Sequence, residues 1–171
     1  MITEDHWQSA REDFGQLYWR GIMGRIWTRL RRKQVALVDI RDAAENVQRL
    51  QIVDRGIQTI RVDAIYGSTQ RNSNFDMNFR PTRRRARNRW SRIRTAYFED
   101  KTLPAIEVVR FGEQYFVADG HHRVSVAKFL GQVFIDAHVT DWIIANNNDC
   151  SCLGASTTIE GIRHAVYYRV S

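Results

Sequence analysis

Tyr115-Phe116-Val117-Ala118-Asp119-Gly120-His121-His122-Arg123-Val124-Ser125-Val126-Ala127 is the stretch on which the fold turns. Tyr115 to Ala118 read as the end of a buried strand and Asp119-Gly120 as a sharp turn. Val124, Ala127, Phe129 and Leu130 then continue at helical spacing. A strand that passes through glycine into a helix leaves several backbone N–H groups without intrahelical partners. That end of the helix carries partial positive charge and attracts phosphate or carboxylate. His121, His122 and Arg123 add side-chain donors and one permanent charge at the same place. Cations are unfavourable at a helix N-terminus, so stability gives no reason for them there. Anion binding does.

The rest of the chain arranges itself around that turn. Upstream, Ile106–Phe111, Gly112-Glu113 and Gln114–Ala118 predict a hairpin. Downstream, the helix over 121–130 stops at Gly131 and a strand over 134–140 closes the core. A strand over Gln58–Val62 leads into a polar loop from about 67 to 82, and residues 84–99 predict a helix. Asp39 to Leu50 predict another, capped by Asp39, with Ile40, Ala43, Val47 and Leu50 inward. Residues 4–32 read as one long amphipathic helix, capped by Thr3. Its apolar stripe is Trp7, Phe14, Leu17, Tyr18, Ile22, Ile26, Trp27 and Leu30. Gly15, Gly21 and Gly24 weaken it, so packing must hold it. The tally is α+β.

The anion site has a simple composition. Gly120 lets the backbone approach a phosphate, the amides at the helix start donate, and Arg123 offers a bidentate contact. Each histidine donates a hydrogen bond in either protonation state, and one could move a proton near neutral pH. Asp119 could hold a metal ion, orient a histidine, or serve as a turn and cap residue.

The strand–Asp-Gly-His-His-Arg–helix segment resembles the nucleotide site of the ParB/sulfiredoxin-like superfamily. ParB proteins have Gly-Glu-Arg-Arg at the equivalent turn, and sulfiredoxins have Gly-Cys-His-Arg. Ile60-Arg61-Val62-Asp63-Ala64-Ile65 is similar to the strand and turn that open the ParB fold. Gly67-Ser68, Arg71, Phe75-Asp76 and Phe79-Arg80-Pro81 are similar to a loop in a subset of small bacterial ParB-like proteins. Leu103-Pro104 with Ile106-Glu107-Val108-Val109, and Phe134 to Val139, match the strands on either side of the motif. The resemblance implies a small mixed sheet flanked by helices over 58–142. Residues 1–57 would then be a helical extension, and 143–171 a C-terminal loop with a strand over Ala165–Val170.

The same resemblance implies a nucleotide, with or without magnesium, held by Gly120, His121, His122 and Arg123. Arg71 and Ser68 would line a second wall. His121 stands where sulfiredoxins carry their cysteine nucleophile and where ParB proteins carry glutamate, so neither chemistry transfers directly. His121 and Asp119 are the turn residues to nominate as a catalytic base. Asp76 pairs with Asp119 as a conceivable metal site, against the simpler reading of a surface carboxylate.

Composition adds a second theme. The formal net charge is +7 across 171 residues, and seven arginines with no acid lie between Arg83 and Arg94, leaving the remainder formally neutral. Trp90 sits inside that cluster, and arginines with an interleaved aromatic can follow a phosphate backbone and stack on a base. Arg84, Arg87, Trp90 and Arg92 are the candidates for contact with DNA or RNA. The plainer reading is a solvated basic helix face. Cys150 and Cys152 are too few for a disulfide framework or a zinc site. His6, His138 and His164 stand alone.

No run of eighteen apolar residues occurs, nor does a charged-then-apolar opening segment, so the expectation is a soluble cytoplasmic protein without membrane contact. Walker loops, nucleophile elbows and His-Glu-x-x-His are also missing. Three functions compete. The first is phosphate or nucleotide binding on or near nucleic acid, in the manner of ParB-like partition or nuclease domains. The second is phosphotransfer to a free amino acid, as in some members of that superfamily. The third is a non-enzymatic nucleotide-sensing module that dimerises through its N-terminal helix.

Overall fold

The computed structural model describes residues 2–30, 38–40, 50–70 and 74–144. Six strands form one mixed sheet. They are β1 (Val38–Asp39), β2 (Leu50–Arg61), β3 (Ile65–Ser68), β4 (Ile106–Phe111), β5 (Gln114–Asp119) and β6 (Phe134–Ile144), in the spatial order β1-β3-β5-β4-β6-β2. β1–β3, β3–β5 and β4–β6 are parallel, and β4–β5 and β2–β6 are antiparallel. Among the described residues three α-helices accompany the sheet: α1 (Ile2–Leu30), α2 (Arg87–Phe98) and α3 (His121–Phe129). The expected α+β class holds.

Alternation along the strands makes two apolar faces. Ile106 and Val108 of β4, Val117 of β5, Ala137 and Val139 of β6 and Ile60 of β2 point to one side. There they meet Val124 of α3 and Phe75 and Phe79 of the preceding loop. Val109, Phe111 and Phe116 point to the other side and pack with Ile40, Tyr66 and Trp142. A third cluster joins the helices, with Phe14 and Leu17 of α1, Trp90 of α2 and Val126 of α3 in contact.

Several sequence expectations meet their outcome here. The β4–β5 hairpin turns through Gly112 at φ +63°, and α3 ends ahead of Gly131 at φ +68°, both as expected. The long N-terminal helix docks on its own domain. Asp39 lies in β1 rather than capping a helix, and Leu50 already begins β2; residues 41–49 between them lie outside the described residues. The boundary after residue 57 therefore falls within a strand. The expected strand at Ala165–Val170, both cysteines and Arg71 also lie outside the described residues. No described helix is long and apolar enough to cross a membrane.

Candidate phosphate-binding pocket

Gly120 sets the geometry at the start of α3. Its φ of +99° is left-handed, and a Cβ added there would lie 2.5 Å from Ile106 Cγ2. No L-residue fits without shifting β4, so the glycine is required by the chain's own packing. The turn then delivers His121 and His122 as the first residues of α3. The N–H of Val124 bonds to the Gly120 carbonyl at 3.0 Å, so the amides before it have no partner within the helix.

Both imidazoles are walled in by the loop before α2. Asp76 Oδ1 accepts from the N–H groups of Asn78 (2.9 Å) and Arg80 (2.8 Å), and an isolated bridge joins Phe75 to Pro81. This folds the loop tightly enough to hold Phe79 at φ +58°, a conformation that a bulky residue seldom adopts. Phe75 and Phe79 are buried as a result. Phe75 meets the His122 ring edge-on at 5.0 Å and lies nearly parallel to His121 at 6.1 Å. The far side of the loop rests on α1 at Gly21, where a Cβ would come within 3.1 Å of the Pro81 carbonyl oxygen.

Burial pushes the His121 pKa down to about 4 against the opposing pull of Asp119. His122 is also lowered to about 4, by burial first and then by Arg89 and His121. Both rings are neutral at pH 7, which removes the conflict with the helix dipole. His121 Nε2 lies 2.8 Å from Ser68 Oγ, while His122 Nδ1 is buried with no hydrogen-bond partner among the described residues. Ser68 is fully buried and also reaches the Val117 carbonyl at 3.2 Å. It fixes the ring of His121 and is too enclosed to act as a nucleophile. Expected as a lesser phosphate contact, Ser68 stands behind His121 rather than in the lining of the pocket.

Arg123 lines the same turn and is engaged by groups of the chain itself. Its Nη1 donates to the carbonyls of Pro104 and Ala105 (2.8 Å to the latter), and its Nη2 to Asp119 at 2.8 Å. The buried guanidinium ties the 104–105 segment, the end of β5 and α3 together. Asp119 is thereby an ion-pair partner, and Asp76 a buried loop-former; among the described residues no group of three or more acids, histidines or cysteines could hold a metal. The simpler reading of Asp76 as a surface carboxylate is corrected: it is buried and holds the loop through its backbone contacts.

A pocket of about 170 Å³ opens between these groups, lined by Phe75, Arg89, Asp119, His121, His122 and Arg123 among others. With Arg123 and Asp119 paired, Arg89 supplies the net charge. It projects from the exposed side of α2, and no ion pair among the described residues engages it. The sequence placed Arg89 only within a basic run. Its proximity to the histidines depends on how α2 packs on α3, which no local pattern encodes.

The basic run itself divides by depth. Arg83, Arg84, Arg85, Arg89 and Arg92 are exposed, and Arg87 is half-buried with its Nε enclosed. Arg94 is buried against Asp13 of α1 at 2.8 Å and lies over the Phe98 ring at 4.2 Å. Trp90, expected to stack on a base, has no exposed surface. Its Nε1 donates to Ser125 Oγ at 3.0 Å, and its ring packs edge-on against Phe14 and Phe129. It is a core residue and is withdrawn from the basic face.

Comparison with known proteins returned no matching family model, no matching curated protein and no matching solved structure.

Proposed function

We propose that the chain is a phosphate- or nucleotide-binding protein of the ParB/sulfiredoxin-like type, which takes a phosphoryl group in the pocket at the start of α3. The observation that carries this reading is the convergence of an exposed arginine, two neutral imidazoles and the first amides of α3 on one small polar pocket. Neutral histidines can each donate one N–H and accept with the other nitrogen, which suits a partly protonated phosphate. Charge-assisted contact from Arg89 supplies the attraction. The exposed arginines of α2 extend the positive field beyond the pocket and favour action on or near nucleic acid.

Of the proposed base residues, His121 keeps the better geometry. Nε2 is held by Ser68, which leaves Nδ1 for a ligand, whereas Asp119 is neutralised by Arg123. Phosphotransfer would need an acceptor hydroxyl within hydrogen-bond reach of that nitrogen.

The test is thermal stabilisation by phosphate and by nucleotides, with and without magnesium. A ligand present at 100 times its dissociation constant adds about 2.7 kcal/mol. Arg89→Ala should lower phosphate affinity by roughly 10- to 100-fold, as expected for one charge-assisted contact of about 1.5–3 kcal/mol. Its fold should be unaffected. Stabilisation that is equal in the wild-type chain and in Arg89→Ala would place the ligand elsewhere.

A further inference from the structure

We infer that the phosphoryl group is the terminal phosphate of a single-stranded polynucleotide, whose adjoining nucleotide runs along α2 toward Trp7. This rests on the phosphate-binding reading above and narrows it to a substrate class. The first ground is size. A pocket of about 170 Å³ holds roughly the volume of six waters, well below the several hundred cubic ångströms of a site that swallows a whole small molecule. A phosphoryl group fits it and a nucleoside does not. The remainder of the ligand must lie outside.

The second ground is the path that leads out. Arg89 and Arg92, three residues apart, lie on one side of α2, and Arg85 stands in the short 3-10 turn that leads into it. All three are exposed. Arg85 is held at the pocket rim by Asn74, whose Oδ1 accepts from its Nε at 3.1 Å and its Nη2 at 2.7 Å. Arg92 lines a second cavity of about 500 Å³ between α1 and α2, together with Glu4, Trp7, Thr95, Ala96 and Glu99.

That second cavity has a different character. Glu99 is paired with Lys101 at 2.6 Å, and Glu4 offsets Arg92, so the lining is close to neutral. A neutral cavity with an indole in its wall suits an uncharged base better than another phosphate. The α2 residues lining the two cavities are centred three to four positions apart, roughly 5 Å along the helix axis, which one extended nucleotide can span. A base that enters beside Trp7 must be unpaired, which selects single strands over duplex.

Fluorescence anisotropy of the full chain with short single strands tests the inference. The strands carry a phosphate at the 5′ end, at the 3′ end or at neither, with inorganic phosphate, a nucleoside monophosphate, polyphosphate and duplex as competitors. One phosphorylated end should bind at least about ten-fold more tightly than the hydroxyl-ended strand. Arg89→Ala should erase that preference. Arg92→Ala and Trp7→Leu should weaken all strands several-fold while the end preference survives, and Arg92→Ala stands alone should Trp7→Leu fail to fold. Equal binding of hydroxyl-ended and phosphorylated strands would overturn the inference, as would polyphosphate of matched charge competing equally well. If inorganic phosphate still binds in an Arg89-dependent way, only the polynucleotide inference falls. If neither phosphate nor any strand binds, the phosphate-binding reading falls with it.

Discussion

Gly120, His121, His122 and Arg123 meet at one turn, packed against residues distant in the chain. The sequence marks all of them, because a strand–glycine–helix turn followed by cations is conspicuous. It does not reveal that Ile106 fills the space where a Cβ would sit, or that the carbonyls of Pro104 and Ala105 take up the guanidinium. Those partners arrive from 14 to 19 residues upstream, through the register of β4 against β5. Gly120→Ala should therefore destabilise the fold by roughly 2–5 kcal/mol, the sum of a left-handed backbone and an overpacked contact. Chemical denaturation measures this, and a loss below 1 kcal/mol would mean that β4 yields easily.

The histidines make a separate prediction at the same scale. Their folded pKa values of about 4 lie below the ordinary 6.5, so the unfolded chain binds more protons between those limits. Stability from burying them neutral is fully present above about pH 6.5 and declines as pH falls toward 4, by on the order of 2–4 kcal/mol per ring. His122→Phe should flatten that decline by about half. An unchanged acid limb would show that the rings are not buried neutral.

Among the elements, α1 and α2 carry the clearest lesson. Their periodicity is legible, and so is the apolar stripe of α1 through Phe14 and Leu17. The rotation of α2 is not. Four arginines in twelve residues leave few apolar residues to mark its inner side, and an indole among cations resembles a stacking platform. In the fold, that indole is the plug between α1 and α3, with Arg94 and Asp13 beside it. Trp90→Ala should cost about 3–5 kcal/mol, the usual range for emptying a buried aromatic site. Loss of nucleic-acid binding with stability intact would instead restore its exposed role. β2 is legible from Gln58 onward, and its first half is masked for a different reason. A bulge between Asp54 and Ile57, with Gly56 at φ +68°, shifts its alternation, and Ile52 and Ile57 face outward. Apolar spacing over 39–50 then looks helical although both ends of that range lie in strands.

At the scale of the whole molecule, the sheet brings the end of β5 beside a loop folded on itself and a helix lined with exposed arginines. The core and the hairpin were readable from alternation and turn chemistry. The pocket was readable only in its first turn, because Phe75 and Arg89 reach it through tertiary packing. If the exposed side of α2 also contacts a phosphate backbone, affinity should fall with salt by a log–log slope of about −0.7 per single-strand phosphate neutralised. Changing Arg84 and Arg92 together should lower that slope by one to two contacts. A slope that stays the same would leave these arginines as a solvated face.

The most direct measurement is an NMR titration of the ¹⁵N-labelled chain with inorganic phosphate, following backbone amides and histidine ring nitrogens together. The account predicts saturable shifts at the amides of Gly120, His121 and His122 and at both imidazoles, lost in Arg89→Ala while the remaining spectrum stays folded. Shifts confined to the outer arginines of α2, with the α3 turn and its histidines silent at saturating phosphate, would contradict it.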